Sequence, residues 1–113
     1  MSLEVILAGR PNSGKSTLFN RLAGANQKVG NYAGCTVEKK TASVLQDGVA
    51  TFELTDLPGL YSLQPNSLDE EVAIRHLKEK RDGGLVVFVV DGNNLEQELI
   101  LPLQLRRQGY RVA

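Results

Sequence analysis

An α/β domain built on a mostly parallel sheet is the fold class this sequence predicts, and three observations carry the prediction. Residues 3–8, LEVILA, and 85–90, LVVFVV, are short and nearly continuous apolar runs, the pattern of strands buried on both faces. Stretches with helical periodicity follow, at 15–23 and 67–81. Gly, Pro, Asn and Asp punctuate the junctions, so strand and helix alternate along one short chain.

Each element has a local reason. The strand 3–8 runs directly into GRPNSGKS. A helix is expected over 15–23, with Leu18, Phe19, Leu22 and Ala23 on one face and Gly24 as its stop. Residues 30–36 read as loop. A weak, polar strand is expected over 37–45, near a sheet edge. Gln46-Asp47-Gly48 then turns the chain into a partner strand over 50–55, with Phe52 and Leu54 on one face. Residues 57–66 form a loop marked by Pro58, Gly59 and Pro65. Ser67-Leu68-Asp69-Glu70 is a capping box, opening a helix to about Arg81 that turns Leu68, Val72 and Leu77 inward. His76 is expected on its solvated side, with Asp69, Glu70 and Glu71 as favourable N-terminal charge. Glu38, Lys39 and Lys40 read as an exposed edge. Gly83-Gly84 precedes the strand 85–90. A last helix is expected from a cap at Asn94 to Gln108; Pro102 either kinks it or restarts it with the proline in the first turn. Gly109 stops that helix, and residues 110–113 begin another strand.

Bulk properties narrow the function classes. The 113 residues suit one domain with a modest core. Thirteen basic residues balance thirteen acidic ones, which argues against bulk electrostatic binding to nucleic acid or an anionic membrane. A balanced charge leaves room for one small anionic ligand. The single cysteine, Cys35, cannot form an internal disulfide and reads as a small packing residue in a reducing cytosol. No signal peptide is expected, and no apolar run approaches the roughly 20 residues of a membrane span.

Three motifs carry chemistry. Gly9-Arg10-Pro11-Asn12-Ser13-Gly14-Lys15-Ser16 matches G-x-x-x-x-G-K-[ST] between a strand and a helix. Its glycines let backbone N–H groups converge on a phosphate, and the helix dipole points the same way. Lys15 would meet the β- and γ-phosphates and the Ser16 hydroxyl would bind Mg²⁺. Asp56-Leu57-Pro58-Gly59 follows a strand; the acid can hold magnesium through water, and the Gly59 N–H can reach a γ-phosphate. Gly34-Cys35-Thr36 lies between them, where a loop threonine can join Mg²⁺ only when the γ-phosphate is present. Lys15, Thr36 and Gly59 are therefore the expected catalytic set.

Together GRPNSGKS, NYAGCTVE (31–38), DLPGLYSLQPNSLDEEVA (56–73) and VVFVVDGNNLEQELIL (86–101) resemble the N-terminal G domain of the FeoB family, bacterial ferrous iron transporters. The resemblance implies a P-loop NTPase three-layer sandwich of the small G protein type. It implies that Gly14, Lys15, Ser16 and Thr17 bind the phosphates of GTP or GDP, Ser16 and Thr36 the magnesium, and Asp56 and Gly59 the γ-phosphate side. Asn12 matches the asparagine that helps hold an activating K⁺. Switch I would cover 34–37 and switch II 57–66. The residue after D-x-x-G is Leu60, where many small G proteins carry a water-orienting glutamine, so slow GTP hydrolysis is expected. In the family the domain works at the cytoplasmic face of the membrane, beside the transmembrane part of the same transporter.

The guanine-reading N-K/M-x-D motif and the later S-A loop of such domains are not found in 1–113, so the chain reads as a partial G domain. One alternative follows: a fragment with weak or unspecific nucleotide binding, inactive, and prone to self-association through an open sheet edge. A ribosome-associated GTPase is the other, since it would share the phosphate loop and D-x-x-G.

Overall fold

The computed structural model describes residues 3–11, 13–24, 27–46 and 49–113. In chain order the elements are β1 (Leu3–Ala8), α1 (Lys15–Ala23), β2 (Gln27–Asn31), β3 (Glu38–Gln46), β4 (Val49–Asp56), α2 (Leu68–Glu79) and β5 (Gly84–Phe88). A 3-10 turn (Gly92–Asn94), α3 (Leu95–Glu98), α4 (Ile100–Arg107) and β6 (Arg111–Val112) complete it.

Six strands form one sheet in the order β2-β3-β4-β1-β5-β6. The β4–β1, β1–β5 and β5–β6 pairings are parallel, while β2–β3 and β3–β4 are antiparallel. The mostly parallel α/β expectation therefore holds.

Alternation along β1 divides the core. Val5 and Leu7 point to one face, where they pack with Phe19 and Ala23 of α1, Ala42 and Leu54. Ile6 and Ala8 point to the other, against Ala73 and Leu77 of α2 and Leu101 and Leu105 of α4. Helices thus cover both faces, and the period of two explains why β1 is apolar from Val5 to Ala8.

Four expectations need correction. Residues 27–31 form an edge strand, so the loop read over 30–36 begins only after Asn31. Every residue of β2 is exposed; pairing with β3 holds it, and no apolar alternation marks it in the sequence. Leu68 is 49% exposed because, as the first residue of α2, it points back beyond the helix end; Leu22, at 42%, likewise stays outside the core. His76 is buried rather than solvated.

The last helix is two helices. Pro102 has no N–H to give the carbonyl four residues back, so the ladder breaks at Leu99 and restarts as α4 with the proline in its first turn. The Asp91 side chain caps the 3-10 turn, accepting from Asn93 N–H at 3.0 Å, while the Asn94 side chain, expected as the helix cap, lies outside the described residues. The capping box of α2 forms in modified register. Ser67 Oγ accepts from Glu70 N–H at 3.2 Å, while Glu70 Oε1 reaches past Ser67 to Asn66 N–H at 3.1 Å. The expected Asp47-Gly48 turn lies outside the described residues.

Candidate nucleotide site

The carboxyl ends of β1 and β4 lie side by side, with Leu7 opposite Asp56, and both deliver loops to one edge. There the turn after β1 closes with Ser13 N–H donating to the Arg10 carbonyl at 3.3 Å. Gly14, at φ +95°, is the residue from which α1 starts. That left-handed conformation suits glycine. No side chain caps α1 and its first turn has no acidic residue, so its leading N–H groups stay open to an anion.

Pro11, Gly14, Lys15, Ser16, Thr17 and Gly59 line one open groove of about 540 Å³. Six of the sequence-predicted residues thus come together, from two segments far apart in the chain. Gly59 lies hard against Pro11: a Cβ there would meet Pro11 Cγ at 2.5 Å and the Pro11 nitrogen at 2.8 Å. The next residue, Leu60, donates its N–H to the Gly9 carbonyl at 2.9 Å. Gly9 approaches the Val89 carbonyl so closely that a Cβ would meet its oxygen at 2.6 Å.

Lys15 is buried to 8% exposure, and its Nζ is ion-paired to Asp56 Oδ1. The lysine also lines a second cleft of about 160 Å³, shared with Val37, Glu38, Asp56, Leu57 and Pro58. Ser16 and Asp56 supply a hydroxyl and a carboxylate beside the groove, hard oxygen donors that fit Mg²⁺. Thr36 is exposed, in the bend just before β3. Its neighbours Val37 and Glu38 line the Asp56 cleft, and Thr36 lines neither that cleft nor the groove. Asn12 lies outside the described residues.

The base of the bend is fixed. Tyr32 N–H donates to the Val37 carbonyl at 2.9 Å, and both residues pack on Val72 of α2. Cys35 packs against the same cluster, its Sγ 3.4 Å from the Tyr32 carbonyl, which agrees with a packing role. Gly34 turns at φ +75° inside the bend.

Sequence reasoning missed a buried polar network beneath the bend. His76 Nε2 lies 2.8 Å from Glu4 Oε2, a pair 72 residues apart. Thr55 Oγ1 donates to the same oxygen at 3.1 Å, and Lys80 Nζ lies 3.4 Å from Glu4 Oε1. Burial alone would raise the Glu4 carboxyl, but the His76 hydrogen bond and charge, then Lys80 and Thr55, hold it down to about 2. The Tyr32 ring meets His76 edge-on at 5.6 Å, and Lys39 sits 5.4 Å above it, so Lys39 is not a plain solvated edge residue. Burial, then the Asp56 and Glu4 carboxylates, raise the Tyr32 phenol. The one available signal was Glu4 itself, a carboxylate inside an otherwise apolar strand.

A strand, a glycine-rich turn and a helix with its lysine on an acid at the end of the neighbouring strand define a phosphate-loop G domain. Comparison with known proteins narrows this. The family described as Ferrous iron transport protein B matches over residues 3–113. The Fe(2+) transporter FeoB of Methanocaldococcus jannaschii is 49% identical over 109 residues, covering 96% of this chain and 16% of that protein. The Fe(2+) transport protein A/Fe(2+) transporter FeoB fusion protein of Porphyromonas gingivalis is 46% identical, covering 98% of this chain and 13% of that protein. The crystal structure of the G domain of the T. maritima FeoB iron transporter superposes with a TM-score of 0.86 at 45% identity, covering 99% of this chain and 69% of that one. A GDP-bound S. thermophilus NFeoB variant gives 0.87 at 43% identity, covering 99% and 42%.

The chain belongs to the FeoB family, and its fold is that of the family's G domain. It spans only 13% and 16% of the length of these two transporter relatives. Family membership decides against the ribosome-associated reading. Among the described residues no helix is long and apolar enough to cross a membrane.

Proposed function

We propose that the chain binds GTP and GDP with Mg²⁺, hydrolyses GTP slowly, and reports its nucleotide state to the transmembrane part of a ferrous iron transporter at the cytoplasmic membrane face. The observation that carries this is one groove in which the uncapped start of α1, Lys15, Ser16 and Gly59 converge.

In this reading the α1 N–H groups and Lys15 hold the phosphates, and Ser16, Asp56 and Thr36 hold Mg²⁺. When bound, the metal supplies charge neutralisation for the β- and γ-phosphates. Lys15 must leave Asp56 to reach the phosphates, so binding exchanges one ion pair for another. Gly59 N–H and Lys15 stabilise the γ-phosphate as negative charge shifts during water attack. Thr36 closes over the nucleotide by movement within 33–36, since Tyr32 and Val37 are pinned by their hydrogen bond and by Val72. That movement, with switch II, is the signal to the transporter. Asn12 would hold an activating K⁺.

Slow hydrolysis has a structural cause in the same reading. Leu60 is fully buried among Ile6, Leu57 and Leu77, so its side chain points away from the groove and orients no water.

The test is titration of the purified chain with fluorescent GDP and Mg²⁺, competed by GTP and ATP, with Lys15→Ala as control. Lys15-dependent binding with preference for guanine nucleotides is expected. Binding that survives Lys15→Ala refutes the phosphate cradle. Equal competition by ATP identifies a cradle without base selection.

A further inference from the structure

Arg10 occupies a position that the G-x-x-x-x-G-K-S pattern leaves free, so the phosphate cradle itself does not require an arginine there. Its guanidinium does not lie in the Lys15 groove. It sits 5.4 Å from the centroid of the Tyr61 ring, within cation–π range. Tyr61 is the residue after Leu60, whose N–H is bonded to the Gly9 carbonyl at 2.9 Å. Arg10 is likewise the residue after Gly9. Two adjacent pairs of residues, 9–10 and 60–61, therefore meet through one backbone hydrogen bond and one ring contact. Gly59 and Pro11 extend the same seam, packed so tightly that a single methyl group would not fit.

Arg10 and Tyr61 line a small cavity with Glu98, a carboxylate only 6% exposed. Glu98 Oε2 accepts from Asp91 N–H at 3.0 Å. Among the described residues lining that cavity, Arg10 is the cationic side chain.

We infer that Arg10 is a positioning residue that holds the switch II turn through Tyr61, fixes Gly59 at the γ-phosphate end of the groove, and so helps distinguish GTP from GDP. The inference rests on the nucleotide reading above for its last clause only. GDP has no group at the γ position, so loosening Gly59 should weaken GTP more than GDP.

Two measurements on the chain test it. The first needs no nucleotide: hydrogen exchange at the Leu60 amide. Arg10→Ala and Tyr61→Ala should speed that exchange about two- to fivefold, the range of a part-exposed cation–π contact, and Tyr61→Phe should not. Combining Arg10→Ala with Tyr61→Ala should add little to either alone. The second is the ratio of GTP to GDP affinity, expected to fall by a similar factor in Arg10→Ala and to be partly restored in Arg10→Lys. Unchanged Leu60 exchange in Arg10→Ala overturns the clamp. Faster exchange with an unchanged ratio overturns the role in discrimination, as does an equal loss for both nucleotides. If the wild-type chain binds no nucleotide, the proposed function and the discrimination role both fail, and Leu60 exchange still decides the clamp.

Discussion

Replacing Gly59 by alanine probes the contact on which the candidate site depends. The added Cβ would lie 2.5 Å from Pro11 Cγ, 2.7 Å from Pro11 Cδ and 2.8 Å from the Pro11 nitrogen. Carbon atoms pack favourably at about 3.5–4.0 Å, so relief needs a separation of roughly 1 Å. Pro11 is a ring on a tight turn and cannot rotate away, which leaves the 59–61 segment to move. A shift of that size stretches the Leu60 N–H to Gly9 carbonyl bond, now 2.9 Å, past the usual limit. Overpacking of this kind costs about 1–3 kcal/mol, and the lost hydrogen bond about 0.5–1.5 kcal/mol. A total of roughly 3 kcal/mol corresponds to a fall in Tm on the order of 10 °C for a domain of this size. Urea denaturation gives the free energy, and hydrogen exchange at Leu60 reports whether the seam has opened. Gly34→Ala is the contrast: nothing lies within 4 Å of its Cβ, but its φ of +75° is left-handed. It should cost about 1–2 kcal/mol through backbone strain with Leu60 exchange unchanged. A Gly59→Ala protein within about 0.5 kcal/mol of wild type, the range of an inconsequential surface substitution, with Leu60 still protected, would refute the close packing of the two loops.

Two further outcomes are expected. Leu60→Gln places an amide in the apolar core, because position 60 is fully buried. It should destabilise the chain by about 1–3 kcal/mol and leave GTP turnover no faster; a faster single-turnover rate would show that the side chain can reach the groove. The Glu4 carboxyl titrates in the folded chain at about 2, below its ordinary 4.5. Its stabilisation is therefore complete above about pH 4.5 and is lost as pH falls towards 2. Tm measured from pH 7 down to pH 2.5 should drop more steeply in the wild type than in Glu4→Gln across that window, and parallel curves would contradict the network.

What the sequence determined by itself is what local chemistry decides. β1 and α1 fall at the predicted bounds because an apolar run, a glycine turn and an amphipathic helix each declare themselves within a few residues. Ser67 caps α2 for the same reason, since a cap and its acceptor are near neighbours in the chain. The motif stands out in the sequence because a phosphate cradle would need particular side chains at short fixed spacings.

Only the tertiary structure decided the rest, because the partners are distant in sequence. β2 carries no hydrophobic signal and exists through its pairing with β3. His76 reads as a surface residue until β1 brings Glu4 beneath it. Lys15 meets Asp56, and Arg10 meets Tyr61, only where the ends of β1 and β4 are laid side by side. Leu60 occupies the position where a water-orienting group would stand in sequence, yet core packing turns its side chain inward and leaves only its backbone at the phosphate loop. Burial and pairing depend on what the folded chain places opposite a residue, and that is set by strand order and register, not by neighbours along the chain.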